Sequence, residues 1–343
     1  MTATQESAAA SGGAQTRDVV YDVSHITLRF GGVTSINDVS LQMYRGEILA
    51  VIGPNGAGKT SLFNSLTGVY TPQQGSINLA ARVGDSPTSV LGAKTHVVNR
   101  MGVARTFQNI RLFPALTALE NVKVGVETRQ KAGPIAAMLG MPWQRREERE
   151  STKRAYELLA FVGLTSRANE LAGSLAYGEQ RRLEIARALG TNPGVILLDE
   201  PAAGTNPAEK RDLADLIKRI NVEDNVSVLL IEHDMKLVMS IAHRLVVLNF
   251  GEKIAEGTPE QIQRDPVVVA AYLGSSAEEA AEEMASHDKP AVEPAAPELA
   301  KAPIDVADDS IISTEETFEV PEAPPVSAPG RHESTDRSED EDA

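Results

Sequence analysis

The chain has 343 residues, 42% of them hydrophobic, enough apolar material for one large domain or two modest ones to bury a core. It has no cysteine, so disulfides, thiolate catalysis and thiolate-bound zinc are excluded. The formal charge of −15 is concentrated at one end: from Ser275 onward there are 20 Asp/Glu against 4 Lys/Arg, and the near-neutral remainder has no basic excess to hold a nucleic-acid backbone.

Residues 1–17 and 275–343 are poor in aromatics and rich in Ala, Glu, Ser and Pro, the composition of a disordered N-terminal arm and a disordered acidic tail. That tail reads as a solvated extension or an interaction arm. The N-terminus lacks the basic-then-apolar build of a signal peptide, and no window approaches the roughly 18 uninterrupted apolar residues of a membrane span. A soluble chain that is not exported is therefore expected. Between the arms, short β-branched runs alternate with helix-like stretches, which predicts an α/β domain built on a largely parallel sheet.

The first clear strand is Glu47–Ile52, an apolar run without alternation, as expected when both faces are buried. It leads into GPNGAGKT, residues Gly53, Pro54, Asn55, Gly56, Ala57, Gly58, Lys59 and Thr60, and then into the helical pattern opened by Ser61. Strand, G-x-x-x-x-G-K-[ST] and helix in that order form a phosphate-binding loop. Its glycines let backbone N–H groups turn toward a β-phosphate at a helix N-terminus, Lys59 adds a cation, and Thr60 offers a hydroxyl to Mg2+. Residues from about Asn109 to Ser174 read as mostly helical, with Pro114, Pro134 and Pro142 as interruptions. Val195–Leu198 is a second buried strand, and VILLDE ends in two acids. The strand makes Asp199 a metal-site candidate beside the phosphate-binding loop, while Glu200 extends past the strand end, where a carboxylate can orient an attacking water. The same acids would also suit a strand cap before the turn at Pro201. Ser227–Ile231 and Leu245–Asn249 complete the clear strands. His233 stands two residues beyond the former, placed to donate to a γ-phosphate or to serve a structural role.

A third motif, LAYGEQRRLEIARAL over Leu175–Leu189, joins the first two, and together they resemble the ATP-binding cassette family across nearly all of residues 19–274. The resemblance implies a P-loop NTPase with a RecA-like core, an antiparallel β subdomain and an inserted helical subdomain over about 109–190, within a nucleotide-binding domain spanning 18–274. It implies ATP and Mg2+ as cofactors. Ala176, Tyr177, Gly178 and Glu179 match the family signature, in which one subunit closes over ATP held by a second nucleotide-binding subunit. They depart from the common LSGGQ by Ala for Ser, Tyr for Gly and Glu for Gln. Phe30 before Gly31–Gly32 resembles the aromatic that stacks on adenine, although an aromatic at a strand end also suits a core. Gln108 in RTFQ resembles the glutamine that contacts Mg2+ and the attacking water and links the site to a transmembrane partner. PAAGTNP resembles the loop that meets the opposite subunit, with Asn206 for the usual Asp and Thr205 for the usual Leu.

RFGGVTSINDVS, GVARTFQNIRLF, LLIEHDMKLVM and the closing GTPEQIQRDPVVVAAYLG narrow the resemblance to ATP-binding subunits of bacterial branched-chain amino acid importers. Such a subunit works at the cytoplasmic face of the membrane, against transmembrane permease subunits and, through them, a substrate-binding protein, with no nucleic acid. ATPase motifs do not report cargo, which rests on resemblance alone. Transport of urea, an amide or a lipid-related cargo is the alternative within transport. ATP binding without turnover is opposed by Glu200 and His233 together. A soluble, non-transport cassette ATPase usually joins two cassettes or carries a long coiled-coil insertion, and this chain has neither.

Overall fold

The computed structural model describes residues 18–128 and 142–272. The predicted N-terminal arm, the acidic tail and Pro134 lie outside the described residues.

Two sheets organise the domain. Strands β1 (Val19–Phe30), β2 (Val33–Tyr44), β4 (Gln74–Leu79) and β5 (Thr88–Ser89) form an antiparallel sheet in the order β2-β1-β4-β5. Strands β3 (Ile48–Ile52), β6 (Val103–Arg105), β7 (Val195–Asp199), β8 (Ser227–Ile231), β9 (Arg244–Asn249) and β10 (Glu252–Gly257) form a six-stranded sheet in the order β10-β9-β3-β8-β7-β6. That sheet is parallel apart from the β9–β10 hairpin.

Every residue of β3, β7 and β8 is buried, which is why their sequences run apolar without alternation. Alternate positions serve two cores. Leu49, Val51, Leu197 and Leu229 face the antiparallel sheet and helix α1 (Lys59–Leu66), packing with Leu62, Phe63 and Leu66. Ile48, Ala50, Ile196 and Leu230 face the other helices. Among those helices, α3 (Ala118–Glu127), α4 (Pro142–Phe161) and α5 (Tyr177–Gly190) pack on one another through Val122, Leu158, Leu159, Leu183 and Ala186. A short helix α2 (Thr95–Arg100) precedes β6. Helices α6 (Pro207–Val222), α7 (Met235–Ile241) and α8 (Pro259–Arg264) follow β7, β8 and β10.

The helical part corrects the sequence reading at two points. Residues 109–117 are irregular, and the first helix there starts at Ala118, capped by a reciprocal Thr117–Glu120 box. Pro142 is the first residue of α4 rather than an interruption, since a helix tolerates proline at its first turn, where the missing N–H has no helical partner.

Candidate active site

Loops leaving the C-terminal ends of neighbouring parallel strands converge, the place where open α/β sheets gather ligands. The β7–β8 register pairs Asp199 with Ile231, and β6–β7 pairs Arg105 with Leu197. With β3 beside β8, the 53–58 loop, Gln108, Glu200 and His233 all emerge along one edge.

The glycines of the 53–58 loop are fixed by close packing. Gly53 and Gly58 have φ of +149° and +97°, and a Cβ would lie 2.1 Å from the Leu248 carbonyl oxygen in one case and 2.5 Å from that of Ser35 in the other. Only glycine accepts both the torsion and the contact. Ser61 Oγ lies 2.6 Å from Ser35 Oγ, which ties α1 to β2. Gly58 stands at the N-cap of α1 and offers no side-chain acceptor to the first turn. Lys59 is buried, its ammonium donating to the carbonyls of Gly53 at 2.7 Å and Pro54 at 2.9 Å. Burial pulls its pKa below the usual lysine value, opposed by the negative charges of Glu200 and then Asp199. Thr60 is exposed beside it.

Asp199 is buried and receives Arg105 Nη2 at 2.9 Å, while Arg105 Nη1 also donates to Asn64 at 2.7 Å. Glu200 holds a left-handed φ of +46°, which is uncommon for a residue with a side chain. Its N–H donates to the Ile231 carbonyl at 2.9 Å, and its carboxylate accepts from Gln108 Nε2 at 3.0 Å. His233 Nδ1 lies 3.9 Å from the same carboxylate and is largely exposed. The arrangement gathers a cation, two carboxylates, an amide and an imidazole around the loop.

Residue Glu232 was not visible as a site candidate. It follows directly on β8, beside the end of β7 that carries Glu200 and one residue before His233, and its carboxylate accepts from the N–H groups of Ala202 at 2.7 Å and His233 at 3.2 Å. Burial raises its pKa, with those backbone donors opposing. Arg105 was likewise missed, because its partners are 94 and 41 residues away in sequence. Phe30 is half-exposed at the end of β1, and Tyr70 packs edge-on against it at a centroid distance of 4.9 Å.

The signature residues occupy a separate setting. Ala176 caps α5 without a side-chain acceptor; Glu179 supplies the reverse half of a capping box, accepting the Ala176 N–H at 3.1 Å and pairing with Arg167 at 3.2 Å. The Tyr177 ring lies over Gly204, where an added Cβ would sit 3.3 Å from the ring, and a Cβ on Gly178 would meet Glu209 at 2.8 Å. Among the described residues, no hydrogen bond or ion pair joins the 176–179 turn to residues 53–61. Asn206 caps α6, accepting from the N–H groups of Ala208 and Glu209 as an Asp there would, so this departure preserves the cap.

Residues 36–203 match the ABC transporter family, and residues 252–278 match the family described as branched-chain amino acid ATP-binding cassette transporter. The chain belongs to the ATP-binding cassette transporter family and is one of its ATPase subunits. Its relatives include the high-affinity branched-chain amino acid transport ATP-binding protein BraF of Pseudomonas aeruginosa, 49% identical over 257 residues covering 75% of this chain and 98% of that protein. The corresponding LivG protein of Escherichia coli is 46% identical over 254 residues, covering 74% and 97%. Among solved structures, the ADP conformation of an ATP-binding cassette of an ABC transporter superposes with a TM-score of 0.64 at 29% identity, covering 75% of this chain and 99% of that one. A dimeric post-hydrolysis cassette bound to ADP and phosphate gives 0.57 at 26% identity, covering 70% and 98%.

Proposed function

We propose that this chain powers import of branched-chain amino acids by binding and hydrolysing ATP as one of two nucleotide-binding subunits, seated on separate transmembrane permeases that receive cargo from a substrate-binding protein. The observation that carries the ATPase reading is the Gln108–Glu200 hydrogen bond of 3.0 Å at the same sheet edge as the 53–58 loop. The cargo reading rests on BraF and LivG and on the match of residues 252–278, which lie outside the ATP motifs. The likeness to BraF and LivG supports a peripheral place on the cytoplasmic face of the membrane; no helix among the described residues is long and apolar enough to cross a membrane.

In this reading the 53–58 loop N–H groups and Lys59 bind the β- and γ-phosphates, Ser61 completes the helix N-terminus, and Phe30 stacks on adenine. Thr60, Asp199 and Gln108 supply hydroxyl, carboxylate and amide oxygens, an all-oxygen donor set suited to a hard cation, and would hold Mg2+. A cation held by these residues would supply neutralisation of the phosphate charge. Glu200 orients the water that attacks the γ-phosphate and draws its proton, Gln108 fixes that carboxylate, and His233 donates to the γ-phosphate oxygen. Ala176, Tyr177, Gly178 and Glu179 present the α5 N-terminus to nucleotide on the second subunit; Ala176 contributes only its backbone.

A transporter reconstituted in vesicles from this chain, its permeases and its binding protein tests the proposal. Leucine-loaded binding protein should raise ATP turnover and drive leucine inward, and Lys59→Ala should abolish both. Turnover stimulated by urea or an amide but not by leucine, isoleucine or valine would reject the cargo.

A further inference from the structure

Helix α5 carries a buried ion pair that the roles assigned above do not use. Arg181 and Glu184 are both 1% exposed and meet at 3.2 Å. Replacing such a pair by apolar residues of similar size is often neutral or stabilising, so its presence calls for something beyond filling the core. The partners supply it. Arg181 Nη1 donates to the Phe107 carbonyl at 2.6 Å, and Nη2 donates to the Gln108 carbonyl at 2.8 Å. Glu184 Oε1 accepts from the N–H groups of Phe107 at 3.4 Å and Arg111 at 3.2 Å. Four backbone groups between Phe107 and Arg111 thus end on two side chains of one helix turn. That segment is neither strand nor helix, so no ladder satisfies those groups. Arg181 Nη2 also donates to the Tyr177 hydroxyl at 3.0 Å, so the same guanidinium holds the 176–179 turn. Burial raises the Glu184 pKa, with the Arg111 N–H and then the Arg181 charge opposing.

We propose that Arg181 and Glu184 are positioning residues for hydrolysis: they clamp the Gln108 loop by its carbonyls and its N–H groups so that the Gln108 amide stays on Glu200, and they join that loop to the 176–179 turn as one unit. The inference rests on the reading of Glu200 as the group that orients water. Arg181 suits the task because its planar fork spans two successive carbonyls and a phenol hydroxyl, which a lysine ammonium on a single point cannot match.

The test uses the full chain assembled with its transporter partners. Arg181→Lys keeps the charge opposite Glu184 but gives up the fork; kcat should fall about 10- to 100-fold, as for a catalytic group displaced by an ångström, with KM for ATP near wild type and a lower melting temperature from the carbonyl left without a donor. If the clamp acts through Gln108, Arg181→Lys combined with Gln108→Ala should be no slower than Gln108→Ala alone. A spin label at Asn109→Cys, in a chain with no other cysteine, should gain mobility in the folded Arg181→Met/Glu184→Leu variant without nucleotide present. Wild-type kcat in Arg181→Lys, multiplying losses in the combined variant, or an unchanged label spectrum would each overturn the clamp. Absence of ATP turnover in the wild-type assembly would instead refute the proposed function, and the label would still decide whether the pair holds the loop.

Discussion

Gln108 Nε2 donates to Glu200 Oε2 at 3.0 Å, joining two residues 92 positions apart in sequence. The contact exists because β6 and β7 are adjacent and parallel, so the loops that follow them leave the sheet side by side. A neutral amide donor on the carboxylate constrains its direction while leaving its charge intact, which is what orienting a water requires.

Asp199 and Arg105 form a pair in which both side chains are almost fully buried. Arg105→Met keeps volume but removes the guanidinium, and the uncompensated carboxylate should destabilise the fold by about 3 to 5 kcal/mol. Denaturant midpoints at constant m-value will measure it. A loss below about 1 kcal/mol would mean that Lys59 already compensates Asp199.

Glu232 gives a pH-dependent signature. Burial raises its folded pKa above the ordinary glutamate range, so the folded state holds a proton that the unfolded chain releases first. Its contribution to stability is present at low pH and is lost as pH rises from the ordinary glutamate range through the folded value. Glu232→Gln, permanently neutral but with one acceptor fewer for Ala202 and His233, should be less stable at low pH, and its deficit should shrink toward neutrality. Melting curves of the two proteins across that range check it; parallel profiles would show that the carboxyl does not carry the shift.

Gly178 is constrained inside its own chain. A Cβ would lie 2.8 Å from Glu209 Oε1, and Glu209 also accepts the Asn206 N–H at 2.9 Å to cap α6. Gly178→Ala should displace the Glu209 tip and cost about 0.5 to 1 kcal/mol, the scale of a lost cap. Gly178→Asp adds a like charge beside Glu209 and should abolish turnover. An active Gly178→Asp protein would count against the 176–179 turn facing nucleotide on a second subunit.

What the sequence disclosed was whatever is contiguous. The 53–60 loop, the acids ending VILLDE and His233 each follow an apolar strand directly, so strand pattern and motif point to the same place. Glu232, Arg105 and the Arg181–Glu184 clamp escaped notice because their roles come from contacts 30 to 94 residues apart, which only the strand order creates. Strand β1 was obscured for another reason. Its pairing with β2 shifts register between Val23 and Ile26 and again between Ile26 and Leu28, which breaks the two-residue alternation that would have announced a half-buried strand. The antiparallel sheet was legible through family resemblance, not through periodicity.

The most direct measurement sets Glu200→Gln beside Lys59→Ala in the assembled transporter, recording ATP affinity, turnover and the nucleotide-bound pairing of subunits together. Glu200→Gln should lower turnover by about 10²- to 10⁴-fold, the range for a lost general base, while ATP affinity stays near wild type and the ATP-bound pair of subunits accumulates. Lys59→Ala should lose affinity and pairing at once. Wild-type turnover in Glu200→Gln would reduce this acid to a strand cap and contradict its assignment as the residue that orients water.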